Sequence, residues 1–191
     1  MFFTPEKLPE TNSFLTSVAP TAHDGIVGDP NAKERVEVRE KLKEIESFFV
    51  DAIATGKYKN AEHSYNHYFT SKHEDFGAHL YGREMHIPAG TIVVGKIHKY
   101  PAMNILLKGK LFVVSENGKR MVEAPCIYPS EPGVKKVAYV IEDCVWANVF
   151  LSKEAGEENL ESIINYHAVD SYEDLGMISS TEELQRLLGK S

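Results

Sequence analysis

Between residues 79 and 152 the chain is cut into short apolar runs by closely spaced turn signals. The signals are Ile87-Pro88-Ala89-Gly90, Leu107-Lys108-Gly109, Glu116-Asn117-Gly118 and Glu131-Pro132-Gly133. Between them lie Thr91–Ile97, Met103–Leu107, Leu111–Val114, Lys136–Ile141 and Val145–Leu151. Runs this short, bounded by Gly and Pro and rich in β-branched residues, suit a pleated sheet and are too short for helices. Asn117-Gly118, between Phe112-Val113-Val114 and Met121-Val122, is a hairpin signal, because Asn-Gly supplies the positive φ angles of a tight turn. Seven or eight such strands predict a sandwich or a barrel. The expected fold class is mainly β with flanking helices.

The flanks read differently. Residues 1–29 carry Pro5, Pro9, Pro20, Gly25 and Gly28 without a sustained period, which predicts an extended arm. Asp29-Pro30 is a helix start, and Val38, Leu42, Ile45, Phe49, Ala52 and Ile53 form one apolar stripe of a helix near 31–54. The opposite face, with Lys33, Glu34, Arg39, Glu40, Lys43 and Glu44, is expected to be solvated. Within 30–78, the part from 57 onward is polar and aromatic, with Tyr58, Tyr65, Tyr68, Phe69 and Phe76 among His63, His67 and His73, and reads as a loop-rich connector. In the tail, 153–191, Leu160, Ile163 and Ile164 mark one short helix. Ser180-Thr181-Glu182-Glu183 is a capping box that opens another, carrying Leu184, Leu187 and Leu188. Both helices are expected to pack on the barrel formed by 79–152.

Composition limits what such a fold can do. The 191 residues are 42% apolar and 26% charged, enough for a sizeable core. Net charge is −7, from 21 basic and 28 acidic residues, which argues against a nucleic-acid partner. No apolar run approaches the ~18–20 residues needed to cross a bilayer, so no membrane partner is expected. Two cysteines, Cys126 and Cys144, and an N-terminus without a basic segment followed by an apolar core lead to a cytoplasmic expectation. Nucleotide-phosphate loops and the Gly-x-Ser-x-Gly elbow are absent from the sequence.

Within 79–152, Gly90, five residues, Lys96-Ile97-His98, three residues, Ala102, six residues and Gly109 keep the skeleton of the first cupin motif. Glu131-Pro132-Gly133 falls at the turn of the second. The chain thus resembles the cupin superfamily of double-stranded β-helix barrels. More narrowly, Tyr81-Gly82-Arg83-Glu84, Gly95-Lys96-Ile97-His98-Lys99, Ala124-Pro125, Ser130-Glu131-Pro132-Gly133-Val134-Lys135-Lys136 and Glu142-Asp143-Cys144-Val145-Trp146 are similar to bacteriophage-encoded cupin-like proteins. The resemblance implies a homo-oligomer, in the host cytoplasm or in a virion. It also implies a metal site that has decayed. Of the four cupin ligand positions His98 alone keeps a ligand. The others hold Lys96, Ala102 and Lys136, and histidines of the phage group at 102 and 150 are replaced by Ala102 and Phe150.

Strand parity places Val94 and Ile92 with Lys96 and His98, Asn104 and Leu106 with Ala102, and Trp146 with Asn148 and Phe150. The resemblance puts the His98 face inside. Lysine is protonated at neutral pH and repels cations, so no cofactor is expected. A divalent metal would need His98 together with His86 or Glu84. Six of the eight histidines fall between 63 and 98, and His79 has the opposite parity to His86. The alternative chemistry is a small anionic ligand held by Lys96, His98, Lys136 and Arg83. Asn104, Asn148 and Tyr139 would hydrogen-bond it, and Trp146 would form an apolar wall. Two further readings stand beside it. One is a virion-associated or host-interacting structural protein, suggested by the arm and the helices. The other is a metal-dependent cupin enzyme.

Overall fold

The computed structural model describes residues 1–4 and 31–188. Strand β1 (Phe2–Thr4) begins the chain. The rest of the expected arm, and the helix start at Asp29-Pro30, lie outside the described residues. Then follow α1 (Ala32–Ala54), β2 (Lys59–Asn60), β3 (Ser64–Phe69), β4 (His79–Ile87), β5 (Ile92–Val94) and β6 (Ile97–His98). Strands β7 (Ala102–Ser115), β8 (Gly118–Glu123), β9 (Cys126–Ser130) and β10 (Lys136–Ser152) complete the barrel. The chain continues through α2 (Leu160–His167), β11 (Ala168–Val169) and α3 (Thr181–Leu188). The architecture is the mainly β one expected, with flanking helices.

One nine-stranded antiparallel sheet carries the order β2-β1-β5-β10-β4-β3, and β7 joins β10 to β8 and β9. Strand β10 is its spine. Its first residues pair with β5, its last with β4, and β7 runs beside it throughout. Both β7 and β10 are continuous where the sequence predicts two strands each. The break expected at Gly109 is a bulge instead: the β7–β10 register slips between Val140 and Val145. Gly109 has φ +87°, and a Cβ there would lie 2.3 Å from the Asp143 carbonyl oxygen. Only glycine lets the two long strands bend together at this point.

Two features of the connector differ from expectation. Residues 64–69 form β3, the edge strand paired with β4, and β1 inserts between β2 and β5. Strand β3 lacks apolar alternation because its outward side chains face water and its inward ones face a cavity.

Helix α1 covers the outside of the barrel. Its stripe of Val38, Leu42, Ile45 and Phe49 packs on Ile92, Val94, Val114 and Val137, with Tyr139 beside them. Its opposite face is not simply solvated. Arg39 is fully buried, and so is Glu116 at the β7–β8 turn. Arg39 Nη2 lies 2.7 Å from Glu116 Oε2, and Arg35 Nη2 lies 3.2 Å from the same oxygen. Arg39 Nη1 donates to the Ile178 carbonyl at 2.6 Å, and its guanidinium stacks over Tyr172 at 4.6 Å. Lys135, also buried, bridges to Glu46 at 2.6 Å. Charges alone made this face look wet; the C-terminal segment folds over it and buries it.

Helix α3 is closed by the expected capping box. The Glu183 amide donates to Ser180 Oγ at 3.1 Å, and Glu183 Oε2 accepts from the Ser179 amide at 3.2 Å. Glu40 of α1 accepts from both the amide and the hydroxyl of Thr181. Among the described residues, no helix is long and apolar enough to cross a membrane.

Candidate functional site

The inward faces of β3, β4, β7 and β10, together with β1, β5, β6 and α2, enclose a cavity of ≈ 370 Å3. Cross-strand registration sorts its wall into rows. One polar row crosses four strands: His67 on β3 opposes Arg83 on β4, Arg83 opposes Asn148 on β10, and Asn148 opposes Asn104 on β7. An aromatic row lies on one side, with Phe69 opposing Tyr81 and Tyr81 opposing Phe150. On the other side Tyr65 opposes Met85, Met85 opposes Trp146, and Trp146 opposes Leu106. A polar band is thus held between two apolar ones.

The band is internally hydrogen-bonded and still has donors to spare. Arg83 Nη2 donates to Asn148 Oδ1 at 3.3 Å, and Asn148 Nδ2 donates to Asn104 Oδ1 at 2.8 Å. Asn104 and Asn148 are 2% and 3% exposed. Arg83 Nε and Asn104 Nδ2 are buried without a hydrogen-bond partner. Native interiors seldom leave such donors unmet. His67 Nδ1 lies 2.8 Å from the Tyr81 hydroxyl.

Lys136 and His98 meet at Ser130. Lys136 Nζ donates to Ser130 Oγ at 2.9 Å, and Ser130 Oγ lies 3.3 Å from His98 Nδ1. An ammonium only donates, so the hydroxyl accepts from Lys136 and turns its own hydrogen toward His98 Nδ1. Neutral His98 then carries its hydrogen on Nε2. Burial lowers the Lys136 ammonium to about 8, with Arg120 adding to the effect. Burial pushes His98 down to about 3, helped by the positive charges of Lys136 and Arg83. Burial likewise lowers His167 and His67.

This has a consequence for acid stability. Below pH 6.5 the unfolded chain protonates at His98 while the native ring, at about 3, does not. Stability is undiminished by this group above pH 6.5 and falls as pH drops from 6.5 toward 3. NMR titration of the ring should show no protonation down to pH 4, and His98→Asn should flatten the acid limb of the stability curve. A His98 ring that titrates near 6.5 would contradict the buried placement.

The expected site residues divide. Arg83, His98, Asn104, Lys136, Trp146 and Asn148 all line the cavity. Lys96 stands at its rim, half-exposed and paired with Asp170 at 2.6 Å. Ile92, expected to share the His98 face, packs against α1 instead, and Val94 packs there while also lining the cavity, because the chain turns at Gly95-Lys96 between β5 and β6. Tyr139 also faces α1, since Lys136, Ala138 and Val140 are the inward residues there. Glu84 and His86 lie on the outer face of β4, bonded to each other at 2.7 Å, so neither can join His98. His67 and His167 line the cavity and were not singled out in the sequence: one sits in a strand without apolar alternation, the other ends a tail helix.

Of the positions that the sequence resemblance singles out, Ala102 and Phe150 are buried and apolar, and 96 and 136 hold lysines. Among the described residues no three His, Cys, Asp or Glu side chains converge on one point. Among the described residues lining the cavity there is also no Asp or Glu.

No protein-family profile matches the chain, and no curated protein sequence does. Solved structures align with about half of it. A cupin-like protein from Thermotoga maritima is 14% identical, covering 55% of this chain and 86% of its own, with a TM-score of 0.40. A cupin superfamily protein from Desulfitobacterium hafniense is 8% identical over 48% of this chain and 78% of its own, TM-score 0.40. KdgF from a Halomonas species is 13% identical over 47% and 90%, TM-score 0.35. The fold of this chain is mainly β, an antiparallel sheet with flanking helices.

Proposed function

We propose that this protein binds a small anion in its barrel cavity without metal catalysis. The observation that carries the reading is the pair of buried, unpartnered donors, Arg83 Nε and Asn104 Nδ2, in a cavity whose described lining has no carboxylate. An unpaired buried donor costs about 1–3 kcal/mol, more when charged, and an acceptor-rich anion removes that cost. Lys136 adds a second positive charge. The low dielectric of the wall strengthens the attraction. The similarity to bacteriophage-encoded cupin-like proteins makes a phage the source, the host cytoplasm or virion the location, and a homo-oligomer the assembly in this reading.

The test is a thermal-shift and calorimetric screen of untagged protein with carboxylates and phosphates, run beside elemental analysis. Saturating anion is expected to raise Tm, and metal is expected to stay far below one equivalent. At a ligand concentration 100-fold above Kd the gain is about 2.7 kcal/mol. Stoichiometric metal that is lost in His98→Ala, or a screen in which no anion moves Tm, overturns the proposal.

A further inference from the structure

The cavity wall narrows the class of anion. This step rests on the reading that an anion binds there. We propose that the ligand is an amphipathic carboxylate: one anionic head on the polar band, with a hydrocarbon or aromatic body along the apolar rows.

Three observations carry it. First, the band is one residue deep, flanked by Tyr81 and Phe150 on one side and by Met85, Trp146 and Leu106 on the other. Beyond this band the polar side chains of the described lining are the basic Lys136, His98 and His167 and, at the rim, Lys96, none of which carries a carbonyl or carboxylate oxygen. Second, acceptors are scarce. Asn148 Oδ1 is engaged by Arg83, Asn104 Oδ1 by Asn148, and Tyr81 Oη by His67. Among the described lining residues there is no Asp, Glu, Gln, Ser or Thr. The several hydroxyls of a sugar or a polyhydroxy acid would outnumber the side-chain acceptors left, chiefly one ring nitrogen of neutral His167, and each unmet donor costs free energy. Third, α2 faces the cavity mainly with Leu160, Ile163 and Ile164, an apolar surface whose one polar member is His167 at its C-terminal end. The planar guanidinium of Arg83, on the same polar row as the Asn104 amide, matches the paired oxygens of a carboxylate.

The test is isothermal calorimetry on the full chain with named probes: butanoate, hexanoate, octanoate, 3-phenylpropanoate, its neutral amide, gluconate and glucose 6-phosphate. Octanoate and 3-phenylpropanoate are expected to bind at least tenfold tighter than gluconate, glucose 6-phosphate and the amide. From butanoate to octanoate each added methylene is expected to tighten binding by about fourfold, the factor set by burying one CH2. Gluconate or glucose 6-phosphate binding as tightly as octanoate overturns the amphipathic class and leaves the anion reading standing. The amide binding as tightly as its acid overturns the anion reading itself. Failure of every probe to bind overturns both.

Discussion

Replacing Glu116 by alanine is expected to cost about 3–5 kcal/mol of folding stability, because it removes the carboxylate that two buried guanidinium groups share. Glu116 Oε2 accepts from Arg35 Nε, Arg35 Nη2 and Arg39 Nε, and Arg39 Nη2 lies 2.7 Å from it. The carboxylate sits beneath α1 on the tip of a hairpin and is fully buried. Urea denaturation would read the loss directly. In a chain of this length it corresponds to about 2–4 °C in Tm for each kcal/mol. The apolar triple variant Arg35→Leu, Arg39→Met, Glu116→Leu is expected to recover most of the loss, since desolvating three charges offsets much of their mutual attraction. It would not recover all of it, because Arg39 also satisfies the Ile178 carbonyl. A Glu116→Ala variant within 1 kcal/mol of the parent would show that this network is wet.

Arg83→Met is expected to move binding and stability in opposite directions. Truncating one side of a buried, hydrogen-bonded charge pair costs about 2–5 kcal/mol, so octanoate affinity should fall by roughly thirtyfold or more. Arg83→Lys should fall in between, because an ammonium keeps the charge and loses the planar fork. In the ligand-free protein the same Met substitution removes a buried, unpartnered Nε and a desolvated charge, at the expense of one hydrogen bond to Asn148. The apo Tm is therefore expected to hold or rise. A merely structural Arg83 would show the reverse: a lower apo Tm with affinity little changed.

Much of the framework was legible in the sequence, and for stated reasons. The α1 stripe, the Asn117-Gly118 hairpin and the capping box of α3 are local signals, each set by residues within a few positions of one another. Alternation on β10 correctly grouped Trp146, Asn148 and Phe150. The failures were non-local. Arg39 looked solvated because nothing within α1 reveals that Tyr172 and Ile178, from the far end of the chain, would cover it. Strand β3 was read as a connector because its inward residues, Tyr65 and His67, face a polar cavity rather than a greasy core. Parity carried across Gly95-Lys96 misplaces Ile92, which packs against α1, since a turn resets it. His86 and Glu84 fell outside by the same rule of alternation that brought Arg83 and Met85 in.

The row His67–Arg83–Asn148–Asn104 also bears on how the barrel finds its own alignment. A one-residue slip of β4 on β10 would turn Arg83 out to water, bring Glu84 inside and break the Arg83–Asn148 bond. A two-residue slip keeps the faces but sets Arg83 against Phe150 or Trp146, and its bond to Asn148 is lost. Apolar side chains alone tolerate such slips, because one aliphatic pair packs much like the next. The polar row does not, so the residues that would grip a ligand are also a combination lock on strand registry, set before any ligand arrives.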